Sequence, residues 1–148
     1  MATEVSNMAR VCLANAKIDF KNDSFKAILM DTGFTFDEDA HDGYADVSAS
    51  ELGTGFGYTQ NTKTLAGVTL TNSDANDRCE ITWNDVTWTA AGGAIGPTPG
   101  MIIFDDTVAV DAGDGVSADP IIGYIDFGSE ITQADGGTLT IQNIQVDI

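Results

Sequence analysis

The sequence predicts an all-β fold: a single antiparallel β-sandwich or jelly-roll-like domain with a short N-terminal helix. Three observations carry this expectation. Short apolar or alternating runs recur along the chain with clusters of turn formers between them. Helical spacing of apolar residues occurs only near the start. In two places the alternation reverses parity within one segment, as happens when strands bend around a closed core. The 148 residues, 43% of them hydrophobic, suffice for one domain, since a chain of this size buries some two-thirds of its unfolded surface. The expected division is a helix and arm over 1–24 and the β-sandwich over 25–148.

In chain order, Ser6 is placed to cap a helix over Asn7 to Ala16, with Met8, Val11, Cys12 and Ala16 near helical spacing. A turn follows at Lys21-Asn22-Asp23-Ser24. Phe25 to Met30 is an apolar run of strand length. Residues 31–43 form an acidic loop that holds Phe34 and Phe36, and Tyr44 to Leu52 reads as a helical turn or an edge strand. After Gly53, Gly55 and Gly57, Leu65 to Thr71 alternates, with Val68 and Leu70 on one face. Cys79, Ile81 and Trp83 share one parity, whereas Val86, Trp88 and Ala90 share the other, so the register must shift at Asn84-Asp85. Gly92-Gly93 and Pro97-Thr98-Pro99-Gly100 read as loops, and Met101 to Phe104 as a short buried strand. Asp111 to Asp119 reads as an exposed, mobile loop, Ile121 to Phe127 as a strand, and Asp135-Gly136-Gly137 as a hairpin turn. The second parity flip separates Leu139 and Ile141 from Ile144, Val146 and Ile148.

Charge narrows the function. A net charge of −17 repels phosphate backbones and argues against nucleic acid as a partner. The charge is also graded. Arg10, Lys17, Lys21 and Lys26 nearly balance the acids of the first segment, whereas no lysine or arginine follows Arg78. These four cations are the candidate contact residues, on the expectation that the N-terminal segment faces a partner and the acidic remainder faces solvent. Cys12 and Cys79 sit in apolar patterns and are expected as free thiols. With no leader pattern and no apolar run long enough to span a bilayer, the chain is expected to be made in a cytoplasm, with no membrane partner.

A search for chemistry favours a non-enzyme. His41 lacks a second histidine or a cysteine at zinc-ligand spacing, and no G-x-S-x-G frames a nucleophile. Asp37, Asp39 and Asp42 before Gly43 echo a calcium loop, but the glycine falls one place late and the closing glutamate is missing. The reading therefore names no catalytic residue, no metal and no cofactor. Glu80 and Asp85 lack any sign of a divergent acid and base. Trp83, Trp88, Tyr58 and Tyr124 could line a sugar-binding face, which makes a carbohydrate-binding module the competing class, although tryptophans in alternating strands are more often core.

Several phrases, in order, are similar to a family of tailed-bacteriophage structural proteins. They are Ile18-Asp19-Phe20 with Phe25 to Met30, Tyr44 to Leu52 running on to Gly57-Tyr58-Thr59, and Leu65 to Val68. The pattern continues in Trp83 to Ala90 and Ile122 to Gly128. The resemblance implies a virion component. Size, acidity and the absence of fibre repeats look most like a capsid decoration (cement) protein. Such a protein binds the outside of the major capsid protein shell, commonly as a homotrimer. A tail, neck or baseplate component is the alternative within the virion.

Overall fold

The computed structural model describes residues 2–148. The elements are β1 (Ala2–Val5), α1 (Asn7–Ala14), β2 (Phe25–Leu29), α2 (Tyr44–Val47) with a 3-10 turn (Ser48–Ser50), β3 (Lys63–Thr64) and β4 (Thr69–Ser73). After them come β5 (Arg78–Trp83), β6 (Val86–Thr89), β7 (Ile95–Asp105), β8 (Ile121–Gln133), β9 (Thr138–Ile141) and β10 (Ile144–Asp147). All strand pairs are antiparallel. The result is an all-β, sandwich-like domain with a short N-terminal helix.

A five-stranded sheet, ordered β1-β8-β7-β2-β3, forms one layer; the sheets β10-β5-β4 and β6-β9 face it. The main core lies between. Ala27, Leu29, Met101, Ile103, Ile122 and Ile125 pack there against Ile81, Trp83, Trp88, Leu139, Ile144 and Val146. The other face of the same sheet is buried as well: Ile28, Met30, Ile102, Phe104, Ile121 and Tyr124 join Phe36 and Val47 in a second, smaller core. Double burial explains why Phe25 to Met30 and Met101 to Phe104 read as unbroken apolar runs. Side chains alternate between faces, and both faces need apolar groups. The acidic loop is thus the cover of the second core.

The two parity flips are one feature. Ile144 pairs with Trp83 and Gln145 with Thr82, while Val86 pairs with Ile141 and Trp88 with Leu139. The register is the same on both sides, so Asn84-Asp85 faces Gln142-Asn143 and the whole ribbon bends there. Asp85 holds the corner by accepting from Gln142 Nε2 and the Asn143 N–H, both at 3.4 Å. Such bends let strands pass from one layer to the next.

Several expectations need correction. The first 24 residues are not an arm. β1 is hydrogen-bonded to β8, and Met8, Ala9 and Cys12 of α1 lie in the main core. Ser6 does cap the helix, accepting from the Met8 N–H at 3.1 Å, but Val11 points outward. The strand expected over Leu65 to Thr71 starts later, at Thr69, and its Leu70 is exposed. Pro97 to Gly100 is no loop but the first half of β7, where register shifts between Ile95, Thr98 and Gly100 accommodate residues that cannot donate to a ladder. Residues 111–119 are exposed at 112–115, as expected, and are tied to the domain by the buried Val116 and by Lys17, which pairs with Asp111 and Asp114. The Asp135 turn is present, but it joins β8 to β9 in different sheets, because the end of β8 is already paired with β7.

Candidate partner-facing surface

The four expected contact cations do not form one free basic face. Lys17 Nζ lies 2.9 Å from Asp111 and 3.2 Å from Asp114, and these bonds raise its pKa while holding Asp111 below the usual carboxylate range. Lys26 Nζ sits 2.9 Å from Asp106. Arg10 donates to Asn7 Oδ1 at 2.6 Å and lies 4.0 Å from Glu38. Lys21 makes no ion pair among the described residues. The gradient visible along the sequence is therefore largely cancelled in space by acids that arrive from residues 38, 106, 111 and 114.

What the fold creates instead is a charge-free face. Residues 52–62 and 86–104 contain no charged side chain. The structure brings the two runs together: the Ala91 N–H donates to Phe56 O at 3.0 Å, and Gly57 lies so close to Thr89 that a Cβ there would meet its carbonyl oxygen at 2.0 Å. Phe56 stands at the centre, 55% exposed. Its ring rests on Gly93, where any Cβ would collide with it, so the ring is braced there while more than half of the residue stays exposed. Its φ of 53° is left-handed, a conformation that a bulky residue adopts only at a cost of order 1 kcal/mol or more. Thr54, Thr59, Ala91, Gly92 and Ala94 surround it as exposed, uncharged neighbours. The nearby charges are occupied: Asp135 accepts the Gly92 N–H at 2.8 Å, and Lys63 lies 5.1 Å over the Trp88 ring while donating to Thr87 O.

Glu51 anchors this face from beneath. It is 4% exposed, yet both carboxylate oxygens are satisfied, by Tyr44 Oη at 2.8 Å, Tyr58 Oη at 2.7 Å and the Asn61 N–H at 2.8 Å. Burial, then the bond to Glu51, pushes the Tyr44 hydroxyl up to about 12, and the same causes raise Tyr58 further. Tyr58 Oη in turn accepts the Leu29 N–H at 3.0 Å. A buried carboxylate with matched donors fixes geometry where an unmatched one would be costly.

Asp105 is the contrasting case. It is fully buried, its Oδ1 accepts the Thr107 N–H at 2.8 Å, and its Oδ2 has no donor among the described residues. Burial, together with the negative charge of Asp23 beside it, pushes its carboxyl up to about 7.

The remaining candidates hold structural positions. His41 is half-buried. It stacks 5.4 Å from Phe34 and lies tilted 5.6 Å from Phe36, and its Nδ1 accepts the Asp37 N–H at 3.0 Å. Glu80 is paired with Arg78, and Asp85 with the ribbon corner. Trp83, Trp88, Tyr58 and Tyr124 are all buried, so none offers a ring face to a sugar. Among the described residues no three His, Cys, Asp or Glu side chains are gathered to hold a metal ion. Cys12 is buried and Cys79 half-buried, and both are free; burial raises the Cys12 thiol. Among the described residues no helix is long and apolar enough to cross a membrane. Comparison with family models, curated proteins and solved structures finds no match.

Sequence reasoning missed the Phe56 face because its signal is an absence of charge spread over two distant runs. Counting uncharged stretches in so acidic a chain finds both runs, but not that they meet.

Proposed function

We propose that this protein is a structural component of a tailed-phage virion that docks on the outside of the capsid as a decoration protein. The observation that carries the reading is the charge-free face around Phe56 on a molecule of net charge −17. Exposed aromatic anchors in uncharged surroundings are the usual centres of protein contacts, whereas the acidic remainder keeps the molecule soluble and repels the genome. The ordered phrases that resemble phage structural proteins supply the particle, and the shell's major capsid protein is the partner. In this reading docking runs through Phe56 and not through Arg10, Lys17, Lys21 and Lys26, three of which face acids of their own chain.

Cosedimentation with undecorated heads tests the proposal. Saturable binding is expected, and it weakens as salt is removed, because unscreened copies repel one another on the shell. Binding to purified tails or baseplates instead of heads would move the protein to another part of the virion. Failure to bind any particle at any salt concentration would contradict the reading.

A further inference from the structure

Among the described residues β4 is exposed on both of its faces and is paired on one side alone, to β5. The direction of its backbone groups follows from its neighbour. Cys79 of β5 exchanges both backbone hydrogen bonds with Ile148, at 2.8 and 2.9 Å. Residues of an antiparallel strand alternate between their two neighbours, so Arg78, Glu80 and Thr82 turn toward β4, where they oppose Ser73, Thr71 and Thr69. Leu70 and Asn72 therefore aim their N–H and C=O groups away from the sheet, and no turn or loop backbone bond reaches them. Unpaired edges are normally protected by a lysine, a proline or a bulge. Residues 64–73, TLAGVTLTNS, contain none of these and no charge of either sign.

We propose that β4 is the strand through which two copies of this chain pair, antiparallel about a twofold axis through Thr71. Leu70 and Asn72 are two residues apart, so in this register each lies opposite the other residue of the second copy. All four outward groups are then satisfied by the same four groups on the partner. Thr71 meets its own counterpart at the close, non-hydrogen-bonded position, a favourable cross-strand pair. The occupant is a second copy because the strand is self-complementary and residues 64–73 bear no charge, the adjacent Asp74 carboxylate being taken up by the Asn72 side-chain amide at 2.6 Å: like-charged molecules approach where charge is missing. The contact does not depend on a capsid. It is also distinct from the trimer that the phage resemblance implies.

The test uses the purified full chain without particles, so its failure and that of the docking reading are separable. Solution mass is measured up to ~1 mM protein in ~0.5 M salt, where screening acts over only a few ångströms, together with hydrogen exchange at single amides. The expected result is a concentration-dependent doubling of mass. The Leu70 and Asn72 amides should gain at least tenfold protection as pairs form, while Thr69 and Thr71, already bonded to β5, change little. Leu70→Pro removes an outward donor alone and should keep the chain monomeric with unchanged circular dichroism. Thr71→Cys in a Cys79→Ser background should form an intermolecular disulfide under mild oxidation, and a variant placed at Thr69 should not. A monomer throughout this range, a trimer, or a dimer indifferent to Leu70→Pro would each overturn the proposal. Should Leu70→Pro fail to fold, the amide pattern and the Thr71→Cys cross-link decide it.

Discussion

Two loops of this molecule carry phenylalanines and use them in opposite ways. The acidic loop 31–43 turns Phe34 and Phe36 inward onto Tyr124, with Phe36 left 7% exposed; Asp31 and Asp37 bond to its own backbone, and Glu38 and Asp39 face Arg10 and Asn7 of the helix. Asp37 accepts the Asp39 N–H; just beyond the loop, Asp46 accepts those of Asp42 and Gly43. The charge-free loop 53–58 turns Phe56 outward and holds it in a left-handed conformation. The first loop is a cover, closed by apolar burial and local hydrogen bonds. The second, under the proposed docking reading, is a contact, and it carries strain and exposure that stability alone would remove. The difference separates what the fold needs from what a partner needs.

The largest test of this contrast is at Glu51, which ties both regions together. Glu51→Ala leaves the hydroxyls of Tyr44 and Tyr58 and the Asn61 N–H without their acceptor. We expect a loss of about 4 kcal/mol in chemical denaturation, the sum of several buried donors left unpaired. A loss under ~1 kcal/mol would mean that the network is incidental.

Phe36→Ala removes the centre of the cover and should cost ~3 kcal/mol. Binding to capsids should stay within about threefold of wild type wherever the variant is folded. A selective loss of binding would make the acidic loop a contact surface after all.

Asp105→Asn should act in the opposite direction. The Asp105 carboxyl is raised in the folded state to about 7, so the native protein holds this proton where the unfolded chain has released it. The contribution of this group is greatest below the unfolded value near 4 and is lost as pH rises toward 7. Asparagine keeps the acceptor for the Thr107 N–H and carries no charge at any pH. Stability at pH 8 should rise by ~1–3 kcal/mol, and thermal melts should lose this component of their pH dependence between 4 and 7. An unchanged pH profile would place the raised value elsewhere.

The smallest change in stability belongs to Phe56→Gly, which relieves the left-handed strain. The melting midpoint should hold steady or rise slightly, equivalent to ~1 kcal/mol at most after the lost ring contact with Gly93. A destabilisation above ~2 kcal/mol would show that Phe56 serves the fold.

Much of this architecture was legible along the chain. Ser6 announced its helix, and the unbroken run at Phe25 announced a buried strand. The two parity flips marked the ribbon corner, though not that they face each other, because register between distant strands is written in pairing and not in local pattern. Pro97 and Pro99 suggested a loop because a strand with shifted register looks like punctuation in one dimension. The cations at Arg10, Lys17 and Lys26 suggested a basic end because the acids that meet them lie far away in sequence. Phe56 was silent, since a lone aromatic between glycines carries no periodicity.

The central claim is that the protein docks through its charge-free face and not through its N-terminal cations. The most direct measurement is the affinity of two folded variants for undecorated capsids, beside wild type at the same salt concentration. Phe56→Asp should weaken binding at least ~100-fold, as expected for a central aromatic anchor. Arg10→Glu combined with Lys21→Glu should stay within about threefold, as expected for charges at a rim. The reverse pattern, with Phe56→Asp bound normally and the cation variant lost, would contradict the account.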